Sequence, residues 1–288
     1  MGINMKLGTF SPEIPAGTAA ELFRKTKDYG FTQMQFDYAS VDKEEMPAFI
    51  TDSLNQEIAA EAAMQGIKIV AVNGTFNMSH PDFTVRQDGI ACFEKIAASC
   101  GTLGCKLVTI CTGTRNRDNM WTPHLDNNSP EAWKDMTAVL ERLILIADKY
   151  DVDLGIETEA SNVVNTPEKA KKIIEDLRSK RLKIILDAAN LFQHGMAKRE
   201  NVKSVISRGM DILSPWIVLA HGKDIKEGEG LDFTGAGQGI IDFEFFLKEL
   251  EKTGYKDGMI LHGIKNEKDI PGCVDYVRKI AAEQAARR

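Results

Sequence analysis

Short apolar runs and amphipathic segments alternate along the chain. Eight short runs are rich in apolar residues, as in strands buried on both faces, and each precedes a segment whose apolar residues recur at helical spacing. The runs are Lys6–Phe10, Gln33–Phe36, Ile67–Val72, Leu107–Cys111, Asp153–Glu157, Leu182–Leu186, Trp216–Ala220 and Gly258–Leu261. Near-continuous apolar strands indicate a parallel sheet covered by helices, and eight of them favour a closed barrel over an open doubly wound sheet.

Helix boundary signals agree with this division. Thr18 and Glu21 form a capping box before the first helix, Gly66 follows the second, and residues 129–131 and 166–168 each place a capping hydroxyl before a proline and a glutamate. No linker divides the chain. The predicted fold class is therefore α/β, a single (β/α)8 TIM-barrel domain over residues 1–288, with flexible ends at 1–4 and 284–288.

The loop after the fourth run, residues 113–128, is long and polar, and it contains Arg115, Trp121 and His124. Loops of this length are uncommon in compact domains unless they form a lid or the wall of a binding site. We expect Trp121 to cover a pocket at this point.

Charge and composition exclude several classes of protein. With 288 residues, a net charge of −6 and a pI near 5.5, the chain lacks the basic surface of a nucleic-acid-binding protein. Its five cysteines form no Cys-x-x-Cys pair, which favours a reducing cytoplasm over a disulfide scaffold. No apolar stretch is long enough to cross a membrane. The glycine-rich stretch at 228–239 follows the seventh run, so we expect neither a dinucleotide site nor a phosphate-binding loop there, and an unphosphorylated substrate is favoured.

The residues that end the last four strands carry the chemistry. In a barrel of this kind the active site lies at the carboxyl ends of the strands. Glu157, Asp187, His221 and His262 follow or close the fifth to eighth runs. Any one of them alone is more often a cap, an ion-pair partner or a core histidine. Together they predict a mixed oxygen and nitrogen site for a divalent metal such as Mn²⁺, Zn²⁺, Fe²⁺ or Co²⁺.

Other polar residues are expected at the same end of the barrel. Asn73 and His80 follow the third run, and Arg115 follows the fourth. Glu159 and Lys223 each lie two positions beyond a predicted ligand, which places them on the same side if the backbone stays extended.

With these residues in place, the chain resembles the sugar phosphate isomerase/epimerase family of the xylose isomerase-like TIM-barrel superfamily over residues 5–283. The most specific matching segments are Cys111-Thr-Gly-Thr-Arg115 with Met120-Trp121, Ile156-Glu157 followed by Asn165-Thr-Pro-Glu168, Leu186-Asp187, His221-Gly-Lys-Asp224, and Gly237-Gln-Gly-Ile-Ile-Asp242 leading to Gly254-Tyr255.

The resemblance implies that Glu157, Asp187 and His221 hold a divalent metal. Two positions depart from the family pattern. His262 stands where the sugar epimerases carry a fourth ligand, a glutamate, and Asn190 stands where many carry a histidine. Since the epimerases use two metal-bound glutamates as bases on opposite faces of a ketose, this symmetric exchange is in question here.

The function predicted is divalent-metal-dependent sugar isomerisation or epimerisation, in which a proton leaves the carbon next to a carbonyl and a metal-stabilised enediolate forms. Glu157 or Glu159 would be the base, His262 a ligand, an acid or both, and Lys223 would stabilise the oxyanion. The residues expected to bind the substrate are Asn73, His80, Arg115, Trp121 and Asn190.

One metal ion is expected, with Mn²⁺ as the first choice and Zn²⁺, Co²⁺, Fe²⁺ or Mg²⁺ as alternatives. The partners expected are a small sugar or polyol and a second copy of the chain, with no nucleic acid and no membrane. Two alternatives stay open: a metal-dependent lyase or dehydratase that acts on a keto-sugar or keto-glycoside, and a non-catalytic sugar-binding barrel. A DNA-repair enzyme that binds three zinc ions would need more ligands than five histidines allow.

Overall fold

A computed structural model describes residues 5–287, and in it eight parallel strands close into a barrel. These strands are β1 (Leu7–Phe10), β2 (Gln33–Phe36), β3 (Lys68–Asn73), β4 (Leu107–Ile110), β5 (Asp153–Glu157), β6 (Leu182–Asp187), β7 (Ile217–Ile225) and β9 (Met259–Leu261). Barrel strands that are neighbours in sequence are also neighbours in space. β7 pairs with β6 on one side and with β9 on the other, and the pairing of β9 with β1 closes the barrel. The short strand β8 (Phe233–Gly235) is not one of these parallel strands. The predicted (β/α)8 barrel is confirmed.

Eight α-helices surround the barrel within residues 5–287. They are α1 (Ala19–Asp28), α2 (Asp52–Gln65), α3 (Phe83–Ser99), α4 (Pro130–Tyr150), α5 (Pro167–Leu177), α6 (Val202–Leu213), α7 (Phe243–Lys252) and α8 (Ile270–Ala286). The capping signals act as predicted: Thr18, Ser129 and Thr166 each accept a hydrogen bond from the backbone N–H three residues on. Gly66 ends α2 with a left-handed φ of 69°.

The predicted flexible ends fall partly outside the structure. Residues 1–4 and 288 lie outside the described part of the chain, while residues 284–286 continue α8. Within residues 5–287, no helix combines the length and apolarity needed to cross a membrane.

The seventh barrel strand is longer than the sequence suggested. The apolar run was expected to end at Ala220, but β7 continues to Ile225 because a short strand, β8 (Phe233–Gly235), pairs with its end in an antiparallel hairpin. His221 and Lys223 are therefore parts of a paired strand. The hairpin holds the backbone at Lys223, which pairs with Gly235, whereas His221 is held by its pairing with Asp187 of β6 and Ile260 of β9.

One carboxylate anchors the loop that follows this hairpin. Both oxygens of Asp224 accept backbone hydrogen bonds: Oδ1 from Ile225 and Ile241 at 2.8 and 2.9 Å, and Oδ2 from Gly237 and Gly239 at 3.0 Å each. A Cβ at position 239 would lie 2.3 Å from Asp224 Oδ1, so only glycine allows this approach. The loop's amide groups are thus satisfied from within the protein.

A cavity of about 430 Å³ opens at the amino ends of the strands, lined in part by Gln33, Lys68, Asp153 and Gly258. It contains none of the predicted site residues, which lie at the opposite end of the barrel. This cavity is therefore separate from the chemistry predicted above.

Replacing Asp224 with alanine should lower the free energy of unfolding by about 3 kcal/mol, since four backbone N–H groups would lose their acceptor in a buried loop. Urea denaturation measures the change. The control is Asp232→Ala, which removes an exposed carboxylate bound to Lys226 and Lys265 and should cost less than about 1 kcal/mol. Equal losses in the two variants would contradict this role of Asp224.

Candidate metal centre at the barrel mouth

Three buried side chains from adjacent strands converge at the carboxyl end of the barrel. Glu157 closes β5, Asp187 closes β6, and His221 lies on β7, directly paired in register with Asp187. One ligand atom from each lies within 4.8 Å of the other two. These three residues are only 7%, 1% and 1% exposed, respectively.

Asp187 and His221 each have one polar side-chain atom in a hydrogen bond and a second polar atom without a partner. Asp187 Oδ1 accepts the backbone N–H of Ala189 at 2.9 Å, whereas its Oδ2 is buried without a hydrogen bond. His221 Nε2 bonds to Gln35 Oε1 at 2.8 Å, whereas its Nδ1 is buried without one. Two fixed electron-pair donors therefore face the same small space.

The bond to Gln35 also defines the tautomer of His221. Gln35 uses its amide nitrogen to donate to Thr109, so its oxygen is the acceptor for His221 Nε2–H. In the neutral ring Nδ1 then carries the lone pair. His221 Nδ1 lies 3.4 Å from Glu157 Oε1. Two electron-rich atoms at this distance repel each other, and a cation bound between them would remove the repulsion.

Asn190 supports Glu157. Its side-chain nitrogen donates to Glu157 Oε1 at 2.6 Å, while its own Oδ1 is buried without a partner. In this structure the residue orients a carboxylate.

Electrostatics at the centre favour a bound cation. Burial acts to raise the pKa of Glu157, but the positive charge that an imidazolium at His221 would supply, together with the ammonium of Lys223, outweighs it and lowers that pKa. With a neutral His221 ring, a bound cation would have to supply this charge. Burial raises the pKa of Asp187, and the negative charge of Glu157 adds to this effect against the ammonium of Lys223. Because two buried carboxylates need more positive charge than one lysine supplies, these residues fit a divalent metal.

Lys223 lies beside the three converging side chains, and Glu159 lies close enough for the charges of Lys223, Glu157 and Asp187 to act on its pKa. Lys223 Nζ is 3.7 Å from Asp187 Oδ2, too far for a hydrogen bond, and 4.1 Å from the centre of the Phe233 ring. Burial acts to lower the pKa of Lys223, but Asp187, Glu159 and Glu157 raise it, so the side chain stays an ammonium. The half-buried Glu159 has its pKa raised, chiefly by burial.

His262, the fourth predicted ligand, is not part of the convergent group. Its ring packs edge-on against His221 with 5.6 Å between centroids, but its Nδ1 bonds to Glu13 Oε1 at 3.0 Å. The structure brings three of the four predicted ligands together and turns the fourth towards another carboxylate.

The predicted substrate-binding residues of the third and fourth loops are engaged elsewhere. Asn73 donates to Asp37 and Glu45, and Arg115 bonds to Asp135 at 2.7 Å and to a backbone carbonyl. His80 uses both ring nitrogens on the backbone, one of them to hold the carbonyl of Arg117. Trp121 is 49% exposed. Asn73, His80 and Arg115 thus brace the loops around the barrel mouth, and no hydrogen bond or ion pair joins any of the four side chains to Glu157, Asp187 or His221.

Two residues near the centre were missed by sequence reasoning. Gln35 lies on β2. The sequence feature that could have indicated it is the presence of two polar residues, Gln33 and Gln35, at alternate positions of a strand that is wholly buried. Glu13 ends the single turn of 3-10 helix after β1, Ser11–Glu13, and carries no signal in the sequence because its partners are 249 to 251 residues away.

Comparison with solved structures finds the same architecture. A D-tagatose 3-epimerase-like protein superposes with a TM-score of 0.78 at 18% identity, covering 98% of this chain and 99% of that chain. The 3-keto-D-glucoside 4-epimerase YcjR from E. coli, in its apo form, gives 0.72 at 17%, covering 96% and 100%. The IOLI protein with a binding zinc atom gives 0.70 at 20%, covering 97% of each chain.

At these identities the likeness is one of fold. A comparison with curated protein sequences finds no match. The family model described as xylose isomerase-like TIM barrel matches residues 23–286, which includes seven of the eight barrel strands and all three converging ligands. The chain therefore belongs to the xylose isomerase-like TIM barrel family.

Proposed function

We propose that this protein is a divalent-metal-dependent sugar isomerase or epimerase. The observation that carries the proposal is the convergence of Glu157, Asp187 and His221, with two of their donor atoms buried and without a hydrogen bond. A carboxylate, carboxylate and imidazole set suits Zn²⁺, Mn²⁺, Fe²⁺ or Co²⁺. Since one structural neighbour is described with zinc, Zn²⁺ is the first ion to test, ahead of the expected Mn²⁺.

Glu157, Asp187 and His221 would hold the ion, and a bound divalent cation would supply Lewis-acid stabilisation of negative charge on substrate oxygens. The half-buried Glu159, next to the centre, is the proposed base for the proton on the carbon beside the carbonyl, because burial raises its pKa towards the working range of a general base. Lys223 stays charged in this setting and would stabilise an oxyanion. Asn190 keeps Glu157 oriented through the 2.6 Å hydrogen bond.

The substrate proposed is an unphosphorylated ketose or keto-sugar. Two of the three structural neighbours named above carry names of sugar epimerases or epimerase-like proteins. The glycine-rich loop after β7 has its N–H groups bound to Asp224 and cannot also cradle a phosphate.

A lyase acting on a keto-glycoside is the second candidate. A pair of carboxylates on either side of the substrate would support reprotonation on the opposite face, and this chain has His262 where the resemblance to the sugar epimerases places the second glutamate. A keto-glucoside epimerase among the neighbours supports testing that substrate class. Release of the sugar's substituent would favour the lyase, and its retention with proton exchange would favour the epimerase. A non-catalytic sugar-binding barrel would have no use for the buried ligand set.

Metal content tests the proposed centre. The wild-type protein should bind about one Zn²⁺ per chain, and Glu157→Gln or His221→Ala should lose this stoichiometric metal because each removes one of the three ligands. Elemental analysis after dialysis against zinc and gel filtration gives the ratio. The exposed His194 provides the control, since His194→Ala should keep the metal. Full zinc content in both ligand variants would show that the site does not bind it.

The bond between Gln35 and His221 should contribute to metal affinity. Gln35→Leu leaves His221 Nε2 without its acceptor, so the Nδ1 lone pair is no longer fixed, and the affinity for zinc should fall by about 10- to 100-fold. Competition with a chromophoric chelator measures it.

Gln33→Leu is the matched control for this measurement, because Gln33 is also buried on β2 but lines the cavity at the other end of the barrel. Its zinc affinity should equal that of the wild type. Equal weakening in the two variants would mean that the loss reflects damage to the strand.

Proton transfer can be measured as hydrogen exchange. The zinc-loaded protein in D2O should introduce deuterium at the carbon beside the carbonyl of a ketose such as D-tagatose, followed by NMR of the recovered sugar. Glu159→Gln should slow this exchange by about 100-fold or more while zinc stays bound, since an amide cannot accept the proton. Exchange at the wild-type rate in this variant would rule out Glu159 as the base.

A further inference from the structure

Glu13 forms a second carboxylate and imidazole unit at the barrel mouth. Glu13 Oε1 is 3.0 Å from His262 Nδ1, and the same oxygen accepts the backbone N–H of Ile264 at 3.1 Å and that of Gly263. Its other oxygen is buried without a hydrogen bond. The carboxylate is thus fixed by the turn that also carries the histidine.

This arrangement defines which nitrogen of His262 is free. An ionised carboxylate can only accept hydrogen bonds, so Nδ1 carries the hydrogen in the bond to Glu13. No described residue bonds to Nε2, and the His262 side chain is 27% exposed, whereas that of His221 is 1% exposed. Nε2 is therefore the ring nitrogen available to a molecule in the barrel mouth.

Neighbouring groups fix the ring itself. Phe10 and His221 pack edge-on against His262, with centroid distances of 5.2 and 5.6 Å. The turn after β9 packs closely against Lys223: Gly263 has a left-handed φ of 78°, and a Cβ there would lie 2.7 Å from Lys223 Cγ. His262 is held next to the metal ligands without offering an atom to their group.

We propose that His262 is the second proton-transfer group of this site and that Glu13 is its positioning residue, which holds Nδ1–H and leaves Nε2 facing the substrate. The inference rests on the proposed function, since it assigns a role in that reaction, and it removes His262 from the set of metal ligands.

The step conserves atoms and charge. Glu159 is the base in one direction of the reaction, and His262 is the base in the other. In that direction Nε2 takes the proton from the carbon beside the carbonyl, so the C–H bond breaks, an N–H bond forms, and the electron pair of the C–H bond moves towards the carbonyl oxygen, while the carboxyl of Glu159 returns a proton to the carbon. The ring becomes an imidazolium whose Nδ1–H still bonds to the ionised Glu13, which stabilises the new positive charge. Return of the proton restores the neutral ring.

The test combines three measurements on zinc-loaded protein: zinc content, the ¹⁵N–¹H NMR spectrum of the imidazole rings, and deuterium exchange into D-tagatose. His262→Ala should keep its zinc and slow exchange by about 100-fold or more. In the wild-type spectrum, the signal absent from His262→Ala should be that of an Nδ1–H tautomer. Glu13→Ala should lose this tautomer while keeping zinc.

Glu13→Gln separates positioning from charge. It keeps an oxygen acceptor of the same shape for Nδ1–H and the two backbone groups, so the fold and KM should change little, whereas kcat should fall by about 10-fold or more. Glu267→Gln is the matched control, since this carboxylate lies in the next turn and bonds to Tyr29. Its exchange rate should stay within about twofold of wild type.

Loss of zinc in His262→Ala would overturn the inference by making His262 a ligand, and so would an Nε2–H tautomer in the wild-type protein. Unchanged kcat in Glu13→Gln would remove Glu13 from the reaction. These outcomes differ from failure of the proposed function: if no zinc binds to the wild type, the metal centre is wrong. If zinc binds and no ketose exchanges, the zinc and tautomer measurements still decide whether the Glu13–His262 pair exists.

Discussion

Two carboxylates buried within 4.8 Å of one another and of an imidazole impose the main constraint on this molecule. Removing charges from water costs several kcal/mol per ion, and that cost must be offset by opposite charge close by. Lys223 supplies one positive charge at 3.7 Å from Asp187, and the free donor atoms of Asp187 and His221 face the space where a divalent ion would supply the rest. Burying these charges lowers the stability of the fold, and the same charges suit the site to binding a cation.

Much of the barrel mouth maintains this arrangement. The register of β6 and β7 places Asp187 opposite His221, and the hairpin of β7 with β8 extends the paired strand as far as Ile225. Gln35 on β2 reaches across the barrel to hold His221, and Asn190 holds Glu157. Glu157 and His221 are therefore each fixed by a residue that does not itself offer an atom to the centre, and partners of this kind orient the ligands in the metal sites of proteins.

The sequence predicts the barrel well, because near-continuous apolar runs and capping residues are local signals and eight repeats of them admit few topologies. It also predicts Glu157, Asp187 and His221, since strand ends of a parallel barrel meet at one rim. It does not reveal that His262 turns to Glu13, or that Arg115 and His80 bind within their own loops. Those contacts depend on side-chain direction and on pairs far apart in sequence, and neither has a periodic signature.

Anomalous X-ray diffraction from zinc-soaked crystals, recorded above and below the zinc absorption edge, would locate a metal ion at the barrel mouth. One anomalous peak is expected there, bound by Glu157, Asp187 and the Nδ1 atom of His221, with His262 outside the coordination sphere and still bonded to Glu13. A mouth without an anomalous peak, or a peak coordinated by His262 in place of one of the three, would contradict this expectation.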